Sequence, residues 1–197
     1  QQKDLNSKWG AYDGVVADKL FNQLKFAEQP FFSTWLTLTS HEPFETPIKV
    51  SIPGDDETSL FLNSLHYTDQ VVTDFINKCA KESFWNRTIF VIVADHGHRL
   101  PLGSSKVADF HIPLLFTGGA LINTGTRINR TVSQIDISKT LLYSVGLNAN
   151  NFYWSKNIFN PTANWAYFAF NDGFGFVTDS SNVTFDNIGK QIISAQG

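Results

Sequence analysis

The run Thr88-Ile89-Phe90-Val91-Ile92-Val93-Ala94 passes without interruption into Asp95-His96-Gly97. A continuous β-branched and aromatic run has no polar face to offer water, so it suits a strand of a parallel sheet covered on both sides. Open α/β sheets gather their chemistry just beyond the carboxyl ends of such strands. The feature therefore constrains both the fold, an α/β arrangement with a mostly parallel sheet flanked by helices, and the place to look for a site.

With 197 residues, 42% of them hydrophobic, the chain can bury a full core without disulfides or structural metal. A formal net charge of -3 with scattered Lys and Arg excludes the basic stripe that tracks a phosphate backbone, so no nucleic-acid partner is expected. The single cysteine, Cys79, forms no internal disulfide and reads as a small apolar core group. No apolar run reaches the roughly 18 to 20 residues needed to span a bilayer, so any membrane anchor would lie outside this chain. The absence of methionine, position 1 included, implies a processed product or part of something longer.

Helical spacing of Val15, Val16, Leu20, Phe21 and Leu24 predicts an amphipathic helix between Tyr12 and Glu28, with Asp13 as a favourable early charge. Residues Phe31 to Thr39 read as a buried strand, and a polar loop runs from Glu45 to Glu57. Leu60, Phe61, Leu65, Val72, Phe75, Ile76 and Cys79 mark a long helix, which with the Thr88 to Ala94 strand would complete a strand, helix, strand unit. A strand at Ile112 to Thr117, a Gly118-Gly119 turn and a helix from Asp136 to Val145 follow. Beyond residue 160 the character changes. Trp165 to Phe170, Gly175 to Thr178 and Asn182 to Phe185 are short strands of an antiparallel meander, expected to belong to the same domain as residues 1 to 160.

Asp95 and His96 can reach one ion only if the chain turns at the strand end, which Gly97 permits. A carboxylate and an imidazole suit Zn²⁺ or Mn²⁺, yet two donors do not make a site, and Asp-His-Gly serves equally as a turn. The surroundings favour chemistry. His41 lies beyond the predicted strand ending at Thr39, His98 and Arg99 follow the tripeptide, and His111 precedes the next strand, so four of the five histidines map to one predicted sheet edge. Histidine and arginine there suit an anionic oxygen group, with Arg99 able to grip phosphate or sulfate in bidentate fashion. His66, within the long helix, reads as structural.

Thr39-Ser40-His41-Glu42-Pro43-Phe44, His66-Tyr67-Thr68-Asp69, Ala94-Asp95-His96-Gly97, His111-Ile112-Pro113 and Gln134-Ile135-Asp136-Ile137-Ser138-Lys139-Thr140-Leu141-Leu142 through Gly146 form an ordered set. Together they resemble the sulfatase-type catalytic domain of the lipoteichoic acid synthase and phosphoglycerol transferase family, within the alkaline phosphatase superfamily. The resemblance covers roughly Trp9 to Phe176. It implies a single divalent cation, Mn²⁺ first with Zn²⁺ or Mg²⁺ as alternatives, held in part by Asp95 and His96. It places His41 on the substrate phosphate and Trp9 near the head-group pocket, with His98, Arg99 and His111 as further substrate-binding candidates. Tyr67 and Asp69 are assigned to packing and hydrogen bonding, and Asp136 to capping its helix.

The family's first acidic ligand and its nucleophilic Thr match nothing in this chain. The resemblance thus implies the carboxyl-terminal half of a catalytic domain, with no catalytic nucleophile of its own and the amino-terminal half as its missing partner. The implied activity is metal-dependent phosphoryl transfer on lipid- or glycan-linked phosphodiesters, at the extracytoplasmic face of a bacterial membrane or in the periplasm. A non-catalytic binding or scaffold descendant, a true sulfatase and a phosphoethanolamine transferase stay open as alternatives.

Overall fold

The computed structural model describes residues 7–49, 51–98, 105–161 and 163–197. The chain divides into two compact units, one of residues 1–92 with 115–124 and one of residues 93–114 with 125–197.

In the first unit, helix α1 (Asp13–Lys25) packs on helix α2 (Glu57–Cys79). Much of the apolar spacing read from the sequence faces inward, Leu24 of α1 meeting Phe75 and Cys79 of α2 with Ala17 and Phe84 completing the cluster, but Leu65, read on the same stripe, is 45% exposed. Asp56 starts α2 as its N-cap, its side chain accepting the Ser59 amide at 3.1 Å and the Ser59 hydroxyl at 2.6 Å. These contacts satisfy donors that a helix start leaves orphaned. Cross-links between α1 and the α2 region come from Lys78 with Asp18 at 2.8 Å and Lys25 with Glu82 at 3.1 Å.

Strand β1 (Phe90–Val93) grows from the apolar run and hydrogen-bonds with β2 (Leu114–Thr117). Gly118 ends β2 with φ +121°, and a Cβ there would meet the Thr88 carbonyl oxygen at 2.3 Å, so glycine is required by both conformation and space.

One expected strand is not realised. Residues 31–38 belong to no helix or strand. Their composition does fit an extended segment: Trp35 packs against Phe75 at 5.3 Å and Phe31 against Phe84 at 6.2 Å. Phe32 and Leu36, however, are 85% and 67% exposed, so the segment is covered on one face only. A strand also needs a neighbour's backbone, and here the amides of Leu38 and Thr39 go to the Asp13 side chain instead. The strand, helix, strand unit is accordingly not formed among the described residues.

The second unit holds the short helix α3 (Lys106–Asp109), helix α4 (Asp136–Ser144) and four strands, β3 (Trp165–Phe170), β4 (Gly173–Thr178), β5 (Asn182–Asp186) and β6 (Gln191–Gln196). The strands pair in sequence order, each antiparallel to the next, which is the expected meander with one strand more. Its register sets Phe168 opposite Gly175, where a Cβ would lie 2.1 Å from the Phe168 ring. Phe110, just past α3, stacks on Phe168 at 4.6 Å, so the meander supports the loop that carries His111.

Candidate functional site

The predicted site residues fall in both units, and each group is described within its own unit. Trp9 and His41 lie in the first; Asp95, His96, His98 and His111 lie in the second. Arg99 lies outside the described residues.

In the first unit the loop after Thr39 is built on a buried acid. Asp13, 1% exposed, accepts the amides of Leu38 at 2.8 Å and Thr39 at 3.2 Å and the Thr68 hydroxyl at 2.9 Å. Its own amide donates to Thr39 Oγ1 at 3.0 Å. Asp13 is thus more than the early helix charge read from the sequence; it ties α1, α2 and the 38–39 backbone at one point. The turn continues with His41 N donating to Leu38 O at 3.0 Å and Phe44 N to His41 O at 2.9 Å. His41 Nδ1 lies 3.0 Å from the Glu42 carbonyl oxygen, an acceptor, so Nδ1 is the ring nitrogen that donates there and Nε2 is left for another partner. Trp9 Nε1 donates to the same carbonyl, and the Trp9 and His41 rings meet edge to face at 4.8 Å. Trp9 is 52% exposed, and His41 is exposed as well. Two sequence-predicted residues therefore form one aromatic and imidazole surface.

Tyr67 serves hydrogen bonding as expected, its hydroxyl accepting the Gly14 amide at 3.2 Å. Burial, with Asp13 nearby, pushes that phenol above its ordinary range. His66 and Asp69 stand exposed on α2.

In the second unit Asp95 and His96 leave β1 with exposed side chains, 71% and 77% accessible. His96 N donates to Asp95 Oδ1 at 2.9 Å, and His96 Nδ1 lies 2.9 Å from Gly97 O. That carbonyl can only accept, so Nδ1 holds the proton and Nε2 is a free donor atom toward a metal. Nε2 stands 3.6 Å from Asp95 Oδ2. Two ligands on adjacent tetrahedral positions, each about 2.0 to 2.1 Å from the ion, lie roughly 3.3 Å apart. The pair fits two positions on one divalent cation. Among the described residues no group of three or more His, Cys, Asp or Glu side chains is arranged to hold an ion.

From the sequence, Gly97 is expected to permit a turn. Its φ is not in the left-handed region; what it provides is room, since a Cβ would sit 1.9 Å from Asp109 O. Ala94 N also approaches Pro113 O at 3.5 Å, so the segments bearing His96 and His111 run side by side. His111 is exposed, its amide donating to Ala108 O at 3.2 Å, and His98 is half-buried.

Two further residues shape this corner, and the sequence pattern alone gives Gln134 no role and Asp136 the wrong one. Gln134 Nε2 donates to Ala94 O at 2.8 Å and Asp95 O at 3.2 Å. Asp136 is the first residue of α4 rather than its cap, and it is wholly buried. It accepts the amides of Ser133 and Lys156, both at 2.8 Å, and pairs with Lys156 Nζ at 2.9 Å. The signal in the sequence is the motif Gln134-Ile135-Asp136, whose distant partners no local pattern reveals.

No helix among the described residues is long and apolar enough to cross a membrane. Compared with known proteins, residues 1–147 match the model of the Sulfatase family. The chain is 24% identical over 176 residues to lipoteichoic acid synthase 2 of Bacillus subtilis (strain 168), an alignment covering 77% of this chain and 27% of that protein. It is similar, at TM-score 0.81 and 28% identity, to a crystal structure of an alkaline phosphatase superfamily protein from Vibrio parahaemolyticus, over 96% of this chain and 47% of that one. The lipoteichoic acid synthase LtaP of Listeria monocytogenes shares the fold, with TM-score 0.75 and 20% identity over 94% of this chain and 54% of that one. The chain thus spans about half the length of these structures and about a quarter of the curated relative. With the family model matched over well more than half of its residues, and with this fold, the chain belongs to the sulfatase family, as a lipoteichoic acid synthase-like member of the alkaline phosphatase superfamily.

Proposed function

We propose that this chain contributes part of a metal-dependent phosphoryl-transfer site acting on lipid- or glycan-linked phosphodiesters of the cell envelope. The observation that carries this reading is the donor pair of Asp95 Oδ2 and His96 Nε2, 3.6 Å apart, with the imidazole tautomer set by Gly97 O. The similarity to lipoteichoic acid synthase 2 of Bacillus subtilis supports the substrate class, and a place of action at the extracytoplasmic face of the membrane is part of this proposal.

In this reading Asp95 and His96 hold one divalent cation, Mn²⁺ first, with Zn²⁺ or Mg²⁺ as alternatives. What the cation supplies when bound is Lewis acidity toward a phosphoryl oxygen and a hydroxyl. As the imidazolium, His41 donates Nε2–H to the substrate phosphate, its Nδ1–H being committed to Glu42 O. Trp9 covers the head group beside it. His98, Arg99 and His111 add positive or hydrogen-bonding groups for the charge that builds on the phosphoryl oxygens. The nucleophile and the remaining ligands come from polypeptide outside this chain.

The test is Mn²⁺ titration of the full-length protein by calorimetry, alongside phosphodiester turnover. Asp95→Asn and His96→Gln should each weaken Mn²⁺ binding at least tenfold and lower turnover in step. Unchanged affinity and turnover in both variants would reject the reading.

A further inference from the structure

We propose that Gln134 is a positioning residue for the cation site, aiming the Asp95 carboxyl group by fixing the backbone on both sides of it. This inference rests on the reading of Asp95 as a metal ligand.

Asp95 is exposed, and its carboxylate is held by the next backbone amide, His96 N donating to Oδ1 at 2.9 Å. Its direction is therefore set by the backbone at its own Cα. Two peptide planes flank that Cα, one ending in Ala94 O and the other in Asp95 O. Gln134 Nε2 donates to both, at 2.8 and 3.2 Å. The amide can be placed only one way round, because its oxygen would face two carbonyl oxygens. Holding both planes from one nitrogen fixes φ and ψ of residue 95 together.

The clamp itself is rigidly seated. Ser133 N donates to Asp136 Oδ2 at 2.8 Å and Asp136 N to Ser133 O at 2.9 Å, which closes the corner that carries Gln134. Asp136 is held in turn by Lys156, whose Nζ also donates to Trp165 O at 3.1 Å and lies 3.8 Å from the Trp165 ring centroid. A buried ion pair thus anchors a corner whose exposed neighbour grips the ligand-bearing backbone. Groups in this position fix a ligand's orientation without touching the ion, and their loss characteristically costs about 10- to 100-fold in metal affinity.

The experiment measures Mn²⁺ affinity of the full-length protein by calorimetry and, separately, its melting temperature without metal. Gln134→Met keeps the length of the side chain and removes the donor. The expected result is about tenfold weaker Mn²⁺ binding with an unchanged metal-free melting temperature, because the side chain is exposed. In an Asp95→Asn background the same change should weaken binding no further, since it acts through residue 95. Unchanged affinity in Gln134→Met while Asp95→Asn binds poorly overturns the positioning role and leaves the metal reading intact. A full additional loss in the double variant, or a loss that tracks a lowered metal-free melting temperature, overturns it too. Unchanged affinity in Asp95→Asn alone removes the metal reading, and this inference with it.

Discussion

Asp13 and Thr39 bond to each other in both directions: the Thr39 amide donates to Asp13 Oδ2 at 3.2 Å, and the Asp13 amide donates to Thr39 Oγ1 at 3.0 Å. Because His41 N is bonded to Leu38 O, and Leu38 N to Asp13 Oδ1, the same acid fixes the turn on which His41 stands. Asp13 is the first residue of α1, so the partial positive charge of the helix start compensates its burial in place of a side-chain cation.

Asp13→Ala should accordingly leave two amides and the Thr68 hydroxyl without their acceptor in a buried place. The expected loss is about 3 kcal/mol of stability, read by urea denaturation, since each unsatisfied buried group costs roughly 1 to 3 kcal/mol. Thr68→Val removes one donor rather than the shared acceptor and should cost clearly less. Equal losses in the two variants would mean that Asp13 is not the hub.

What the sequence disclosed about this molecule divides along the distance over which each feature is decided. The helices α1, α2 and α4 and the strands β1 to β5 were legible because periodicity and turn residues are local. The segment 31–38 reads as a strand from its aromatic and β-branched content, but pairing depends on a neighbour that the segment itself does not encode. Helix α3, at four residues, is too short to show a period. Strand β6, Gln191-Ile192-Ile193-Ser194-Ala195-Gln196, lacks strict alternation and is defined by its pairing with β5 across a register shift at Thr184 and Phe185. At the site, Asp95 and His96 announced themselves by chemistry at a strand end. Asp13, Gln134 and Asp136 did not, because the partners that define their roles lie 25 to 55, 39 to 40 and, for Asp136 with Lys156, 20 residues away in sequence.

The buried thiol gives a pH signature. Cys79 is fully buried among Ala17, Leu24, Phe75 and Phe84, and burial, with Glu82 adding to it, pushes its thiol from 9.0 to about 11. The folded state keeps the thiol protonated where the unfolded chain has already released the proton. The associated stability is complete below the unfolded value of 9.0 and is lost as pH rises toward about 11. Denaturation midpoints measured across that window should fall with pH in the wild type and less steeply in Cys79→Ala. Native protein should also resist thiol alkylation until it unfolds. A fast-labelling native thiol would contradict the packing.

Gly97 and Gly125 separate two reasons for which a chain needs glycine. At Gly125 the backbone has φ +73° and nothing stands within 4 Å of an added Cβ, so Gly125→Ala meets conformational strain alone, at about 1 kcal/mol. At Gly97 an added Cβ would sit 1.9 Å from Asp109 O, a backbone atom that moves only if the end of α3 moves with it. Gly97→Ala should therefore cost about 1 to 3 kcal/mol and displace the loop that carries His111. The two variants are distinguished by hydrogen exchange of the His111 amide, which donates to Ala108 O in the wild type. Exchange there should quicken in Gly97→Ala and stay unchanged in Gly125→Ala. If Gly97→Ala left that amide as protected as before, the approach of residue 97 to α3 would not be what holds the His111 loop beside the Asp95 and His96 corner.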